Sequence, residues 1–299
     1  MARYFRDGTL AIQILIDGFA ISTLYALGAL GFTLIFGVSG VLNLAHGGLM
    51  VIAAMIAWYL DTSLGTGPYV GALAGLAVCL VAALVTYGGI VRPIENSRAV
   101  PAHERELFVL TATLLWGVMI QEALSYAFTN SPITVQPLIA GTVSILGVRT
   151  PINEIFIAAV AWAVMGALWL LVNRTQVGRR LLAASINPRA LTLLGFELDR
   201  IYLFVWIIYG LLAGIAGVLL GSFLGSGSDY VPGLTGSAFT IVVLGGLGSV
   251  SGTLIAAYIV GYIETLTAYL VSPSLREVPA LILLVVVIYM RPQGLLGRR

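Results

Sequence analysis

Long apolar runs without charged residues dominate this chain and restrict the folds it can adopt. A run of about 20 mostly apolar residues is long enough to cross a bilayer as a helix. Six such windows fill most of the chain: 11–35, 41–60, 69–91, 107–128, 152–172 and 201–225. Towards the end, windows 234–247 and 253–271 flank a glycine-rich break, and 278–291 is short. The pattern predicts an all-α integral membrane protein with eight or nine transmembrane helices, including broken or re-entrant segments.

The charge inventory supports a membrane protein and excludes several functional classes. Charged residues make up 9% of the chain, whereas soluble domains are about a quarter charged. All 15 basic residues are Arg, so the chain lacks the Lys that a P-loop ATPase or a Schiff-base enzyme needs. A net charge of +2 is too small for nucleic-acid binding, which uses a clustered basic face. The single Cys79 and the two His residues form no metal-ligand pattern, so no metal site is predicted.

Arginine is concentrated in three regions that we expect on one side of the membrane. The first two regions follow the third and fifth apolar windows, and the third closes the chain: Arg92, Arg98 and Arg105; Arg174, Arg179, Arg180, Arg189 and Arg200; Arg291, Arg298 and Arg299. The positive-inside rule places these regions, including the C-terminus, in the cytoplasm. Residues 11–60 then form two spans with the N-terminus outside, although Arg3 and Arg6 favour a cytoplasmic N-terminus.

A few polar residues interrupt the apolar windows and are candidates for a translocation path. Glu264 lies well inside its window, and a charge within a bilayer needs a specific role because its insertion is costly. It either pairs helices or lines a polar path. Asn43, His46 and Gly47 have the spacing of one helical face. Asn43 and His46 either hydrogen-bond the backbone freed at a glycine break or line the path.

The positions of the glycines suggest both a helix-packing face and an internal repeat. Gly210, Gly214, Gly217 and Gly221 recur at helical spacing, which predicts a packing face within the chain or against a partner. Breaks at residues 37–48 and 245–252 occupy corresponding places near the two ends of the chain. Transporters often contain such repeats, although chance in a glycine-rich membrane protein is the alternative. The Gly-rich break at 245–249 is interpreted as a turn rather than a phosphate cradle, since it lacks the required Lys.

The longest basic loop, at about residues 173–200, has signals for two short helices, over 178–186 and 188–194. The second helix has well-defined end signals: Asn187 as N-cap, Pro188 at the first helical position and Gly195 after the last turn. Its apolar edge, Leu191 and Leu194, has no obvious cover within the chain. We expect it either to dock into a groove on a soluble partner or to lie on the membrane surface.

The loop and three other motifs resemble one known family, the branched-chain amino acid ABC importer permeases of the LivH type. In the loop, the pattern comprises Gly178, Arg179, Ala183, Asn187, Pro188, Arg189, Ala190, Leu194 and Gly195. Residues 25–37 (YALGALGFTLIFG) with 43–47 (NLAHG) are similar to the early signature of the family. Residues 244–249 (LGGLGS) and 291–295 (RPQGL) match its late ones. The resemblance covers nearly the whole chain.

This resemblance implies a single transmembrane permease domain over residues 1–299 with a type II-like importer fold, in the inner (plasma) membrane of a prokaryote. It also implies a homologous LivM-like permease partner, two cytoplasmic ATPase subunits and an extracytoplasmic substrate-binding protein. ATP and Mg²⁺ would bind the ATPase subunits, and this chain would hold no cofactor. The loop residues would couple ATP hydrolysis to alternating access, with Arg179 and Arg189 as docking charges.

Two alternatives stay open at this stage. Gly48 stands where many family members have an acidic residue, so urea, short amides or small organic acids are alternative substrates within the family. An ion-coupled secondary carrier is the alternative from another class, and it would require a titrating carboxylate such as Glu264.

Overall fold

A computed structural model describes residues 8–101, 103–128 and 131–297. Arg3, Arg6, Arg298 and Arg299, which were used above to predict orientation, lie outside these ranges. The α-helices are α1 (Gly8–Ser39), α2 (His46–Leu64), α3 (Pro68–Thr86), α4 (Arg92–Glu95), α5 (Arg105–Ala127), α6 (Ile152–Arg174), α7 (Gln176–Ile186), α8 (Pro188–Leu193), α9 (Leu198–Phe223), α10 (Val231–Gly245), α11 (Val250–Leu270) and α12 (Val278–Met290). A hairpin of antiparallel strands β1 (Thr142–Ile145) and β2 (Val148–Pro151) precedes α6.

Eight helical segments of the described chain are long and apolar enough to cross a membrane, which confirms the predicted all-α membrane fold. One of them, Pro68–Glu95, joins α3 and α4 through the π-helical turn Tyr87–Val91. The remaining predicted window, 234–247, corresponds to α10, whose 15 residues span only about 22 Å. It is a short helix that follows the 3-10 turn Ser228–Tyr230 and ends at the glycine turn, as the expectation of broken helices required.

The connections between helices sort onto two faces. The basic face carries α4, α7 and α8, the turn between α10 and α11, and residues 291–297. Residues on this face are joined by the Arg92–Asp199 ion pair and by hydrogen bonds from Leu295 and Leu296 to the end of α10. The opposite face carries the β-hairpin and residues 224–230, where Ser226 pairs with Ile133.

The start of α1 lies on the opposite face, because α1 contacts β2 and Asp17 accepts a hydrogen bond from Tyr269 near the end of α11. The end of α1 lies on the basic face, where Gly37 approaches Gly248. The first described residues and the C-terminal segment are consequently on different faces. This is the arrangement favoured from the loop charges, with two passes over residues 11–60.

The core forms around α1 and α9. In these two helices 83% and 72% of the most apolar window is buried, compared with 11% in the span Pro273–Met290. The outer helices α3, α5, α6 and α12 expose large apolar side chains along much of their length. Those surfaces suit lipid or a membrane partner.

The glycines of α9 pack within the chain, but against two different neighbours rather than one. Gly210 and Gly214 face Leu80 and Leu76 of α3, whereas Gly217 and Gly221 face α2. The small residues of α1 similarly pack against α11, with Gly18 next to Tyr262 and Ser22 next to Gly261. Of the two predictions for these glycines, intramolecular packing is therefore the one that the structure supports.

The two predicted glycine breaks contact each other. The first is a non-helical segment over residues 40–45, in which Gly40 has a φ of 73°. The second is the turn after α10, in which Gly246 and Gly248 have φ values of 102° and 79°. A Cβ built on Gly37 would lie 3.4 Å from the Cα of Gly248, so the ends of α1 and α10 meet through glycine on the basic face.

Candidate translocation and coupling sites

Asn43 and His46 belong to a buried cluster in the middle of the helix bundle. Residues 40–45 lead back into the bundle, and α2 begins at His46, level with Tyr209 near the middle of α9. The Asn43 side chain donates a hydrogen bond to the Tyr209 hydroxyl at 2.9 Å, and the His46 Nδ1 atom lies 2.9 Å from the same hydroxyl. All three side chains are fully buried.

This geometry corrects two predictions about the cluster. Asn43 precedes α2 and does not share a helical face with His46 and Gly47. Its Oδ1 accepts from the N–H of Ala45 at 3.1 Å, so it satisfies backbone next to itself and not the backbone at residues 37–40. Tyr209, the residue that joins Asn43 to His46, was not identified from the sequence, because a Tyr in an apolar window has no distinctive spacing.

The hydrogen bonds fix the orientation of the Asn43 amide in the cluster. Because Asn43 Oδ1 accepts from Ala45, its amide group must be the donor to Tyr209. The Tyr209 O–H donates to His46 Nδ1 in the tautomer with its proton on Nε2, and the hydroxyl oxygen accepts from Nδ1–H in the other tautomer. His46 Nε2 has no hydrogen-bond partner among the described residues. The imidazole stacks on Phe32 at 5.4 Å between ring centroids, so the ring is held on one side by packing and on the other by the hydroxyl.

Gly47 is required by the close approach of α2 and α10. A Cβ at this position would overlap the carbonyl oxygen of Val231. The Gly47 N–H, one of the free donors of the first helical turn, donates to Thr235 Oγ1 at 3.0 Å. The residue therefore lets α10 pack directly on the backbone of α2.

Glu264 joins three helices and the following loop through its carboxylate. Tyr25 of α1 donates to Oε2 at 2.7 Å, and Ser237 of α10 donates to Oε1 at 3.1 Å. The Nε atom of Arg276 lies 3.9 Å from Oε2. The Glu264 side chain is only 2% exposed, and its hydrogen bonds compensate for the loss of water.

A cavity of about 160 Å³ lies beside Glu264 and is also lined by Asp17, Tyr25, Tyr269 and Arg276. The buried Thr265 and four half-buried apolar residues complete the wall: Ile21, Phe223, Leu224 and Ala268. Because Arg276 belongs to the loop between α11 and α12, the cavity is on the side of the opposite face. Sequence reasoning missed Arg276, although an Arg in an otherwise Arg-poor connection is a signal that could have identified it.

A second, much smaller cavity of about 10 Å³ lies beside His46, which is about the volume that one water requires. Tyr25 and Ser237 contact both the smaller cavity and the Glu264 carboxylate. The hydrogen bonds of Tyr25 and Ser237 to Glu264 therefore separate the two cavities. Of the four predicted path residues, Glu264 lines the larger cavity and His46 lines the smaller one.

The basic loop folds as two helices, as its end signals predict, with small differences in their bounds. α7 begins at Gln176 rather than 178, where the Thr175 side chain accepts from the Gly178 N–H at 3.1 Å. α8 ends at Leu193 rather than 194, and Asn187 Oδ1 accepts from the Ala190 N–H at 3.0 Å. Gly195 has a φ of 84°, which a C-cap glycine adopts without strain.

The coupling candidates divide into buried and exposed residues. Gly178 packs against the carbonyl groups at the end of α6, where a Cβ would overlap Leu171 and Val172. Leu191 is only 5% exposed, so the prediction that the apolar edge of α8 has no cover in its own chain is wrong for this residue. Leu194 is 73% exposed and the neighbouring Leu193 is 89% exposed, which leaves an apolar tip.

The remaining predicted coupling residues lie around this tip and along α7. Arg179, Asn187, Arg189 and Gly195 are exposed, whereas Ala183, Pro188 and Ala190 are half-buried. α7 contacts α1 and α9, and α8 contacts α9. A displacement of the exposed tip would therefore be transmitted to α1, which carries Tyr25, and to α9, which carries Tyr209.

Comparison with known proteins identifies the family. Residues 14–289 match the family described as branched-chain amino acid transport system / permease component. The chain belongs to this family. As a branched-chain amino acid permease component it is a transport subunit, and it is a multi-pass membrane protein.

Individual relatives match this permease over almost their whole length. It is 28% identical to the high-affinity branched-chain amino acid permease protein LivH of Salmonella typhimurium, over 96% of both chains. The permease protein BraD of Pseudomonas aeruginosa gives the same identity and the same coverage. A probable LivH of Methanocaldococcus jannaschii is 28% identical over 95% of this chain and 92% of its own. The resemblance inferred from the four motifs is thereby confirmed.

Proposed function

We propose that this chain is the permease subunit of an ATP-driven importer of branched-chain amino acids in the cytoplasmic membrane of a prokaryote. The observation that carries the proposal is the exposed, capped helix α8 on the arginine-rich face of a branched-chain amino acid permease. A capped helix with an apolar tip suits docking into a groove of a soluble subunit.

The partners follow from this assignment. Two ATPase subunits dock on the basic face, which is cytoplasmic by the positive-inside rule. They hold ATP and Mg²⁺, and their closure moves α7 and α8. A homologous permease packs against the exposed apolar surface of this chain, and a substrate-binding protein delivers amino acid to the opposite face. The N-terminus of α1 is then outside and the C-terminal segment cytoplasmic.

Transport requires the permease to alternate between a state open to the opposite face and a state open to the basic face. In one state the larger cavity is open to the opposite face and the Tyr25–Glu264–Ser237 hydrogen bonds close its inner wall. ATP-driven motion of α7 acts on α1 and α9, which it contacts. Relative motion of α1 and α10 would separate Tyr25 from Ser237 and open the path towards His46.

The coupling role is tested by replacing residues 188–194 with a flexible Gly/Ser stretch in the assembled transporter. We expect ATP hydrolysis to persist without amino-acid uptake in proteoliposomes, because the ATPase subunits no longer bind α8 and cannot move the permease. A finer variant, Leu193→Ser with Leu194→Ser, removes only the apolar tip and should weaken ATPase binding. Leu146→Ser, at a 78% exposed leucine of the hairpin on the opposite face, is the matched control. Wild-type uptake by the Gly/Ser variant would refute the coupling assignment.

A further inference from the structure

The cavity beside Glu264 is lined by cationic, anionic and apolar side chains. It has one guanidinium group, from Arg276, and two carboxylates, from Asp17 and Glu264. The rest of its wall is largely apolar, with Ile21, Phe223 and Leu224. A ligand that satisfies all three would carry a negative group, a positive group and an aliphatic part.

The guanidinium group of Arg276 has N–H donors that are available to a ligand. Its closest acidic partners are at 3.9 Å (Glu264 Oε2) and 4.0 Å (Glu277 Oε1), both measured from Nε and both longer than hydrogen bonds. Among the described residues its guanidinium donates no hydrogen bond. Only 23% of the side chain is exposed, so most of the group has lost bulk water. A planar guanidinium in this situation is suited to bind a carboxylate through two parallel hydrogen bonds.

The carboxylates of the cavity outnumber its cation. Glu264 already accepts hydrogen bonds from Tyr25 and Ser237. Asp17 accepts from Tyr269 through Oδ2, which leaves lone pairs for another donor because a carboxylate has about four acceptor sites. When both are ionised, two carboxylates facing one guanidinium leave an excess negative charge, which an ammonium group would neutralise.

The size of the cavity is compatible with such a ligand. Its volume of about 160 Å³ is roughly ten times what one water requires. The apolar residues Phe223 and Leu224 lie where an aliphatic side chain would be removed from water.

We propose that this cavity binds the zwitterionic head of an aliphatic α-amino acid on its way through the permease. Arg276 binds the α-carboxylate, and Asp17 with Glu264 binds the α-ammonium group. The aliphatic side chain packs against Ile21, Phe223 and Leu224. This inference rests on the proposed function and names the substrate contacts that the transport step would use.

The test uses a reporter cysteine in the assembled transporter. Ala268→Cys places a thiol in the cavity wall, and the native thiol is removed by Cys79→Ala. We expect millimolar L-leucine to slow labelling of this thiol by a maleimide. L-Leucinamide, which lacks the carboxylate, and 4-methylpentanoate, which lacks the ammonium group, should protect much less.

Arg276→Gln should weaken protection by leucine about tenfold or more, since the ion pair with the carboxylate is lost. Arg149→Gln, at an exposed arginine on the same face, is the matched control and should leave protection unchanged. If the Arg276→Gln variant does not assemble, leucine protection is measured in Arg276→Lys instead. This substitution keeps the positive charge but cannot form two parallel hydrogen bonds to the carboxylate. A Lys or Gln variant that is protected by leucine as well as the wild type overturns the assignment.

ATP-driven uptake of radiolabelled leucine by the wild-type complex reports on the proposed function separately. Uptake without protection of the reporter thiol overturns the site and leaves the function standing. A complex that transports no amino acid overturns the function itself. Equal protection by leucine and leucinamide also overturns the site, because it shows that the carboxylate is not recognised.

Discussion

Tyr209→Phe removes one hydroxyl on which two other buried side chains depend. The hydroxyl accepts from Asn43 at 2.9 Å and lies 2.9 Å from His46 Nδ1. The substitution leaves the Asn43 amide donor and the His46 Nδ1 atom without partners in the middle of the bundle. Each stranded buried polar group costs about 1–3 kcal/mol, so with two such groups we expect the free energy of unfolding to fall by about 2–6 kcal/mol.

The shift is measurable by thermal unfolding of the purified transporter in detergent. We expect the midpoint for this chain to fall by about 4–24 °C, since 1 kcal/mol shifts the midpoint of a larger domain by about 2–4 °C. Tyr126→Phe is the matched control, since Tyr126 is 96% exposed and the loss of its hydroxyl should have little effect.

A double-mutant cycle separates the hydrogen bond from general packing. In the Asn43→Ala background, Tyr209→Phe strands only the imidazole, so its cost should be smaller than in the wild type by about 0.5–3 kcal/mol. Equal costs in both backgrounds, or a Tyr209→Phe midpoint matching that of Tyr126→Phe, would refute the reasoning about this cluster.

Three further predictions concern packing, energy coupling and orientation. Gly217→Ala should lower the free energy of unfolding by about 1–3 kcal/mol, because the new methyl group overlaps the backbone of Met50; Gly166→Ala, which meets open space, should not lower it in the same thermal assay. Glu264→Gln should leave residual uptake dependent on ATP and insensitive to collapse of the proton gradient; uptake driven by the gradient in the wild type and lost in this variant would instead support a secondary carrier. A cysteine at Gly8 should react with an impermeant maleimide from outside intact cells, and labelling only after permeabilisation would contradict the orientation.

Much of the fold could be predicted because bilayers impose simple rules. The apolar windows matched the observed spans since a helix must satisfy its own backbone in lipid. The loop helices were predicted because Asn187, Pro188 and Gly195 act locally at helix ends. The family could be recognised for a related reason, since its motifs are continuous in sequence.

The candidate site was predicted less completely because its contacts join distant segments. Asn43 and His46 were selected, but their partner Tyr209 lies on another helix with no local signal. Glu264 was selected, but not Tyr25 or Arg276, which face it only after α1, α11 and the following loop come together.

The apolar windows, the distribution of arginine and the helix-end residues are local properties, so sequence alone predicted eight or nine spans, the basic face and the two helices of the basic loop. Which polar side chains meet was decided only by the tertiary structure. In a membrane protein almost any helix face is apolar enough to be buried, so hydrophobicity does not specify the partner. Small residues specify the partner by allowing backbones to touch. Gly47 lets α10 approach α2, and the contact of Gly217 with Met50 places α9 against α2 and thereby Tyr209 beside His46.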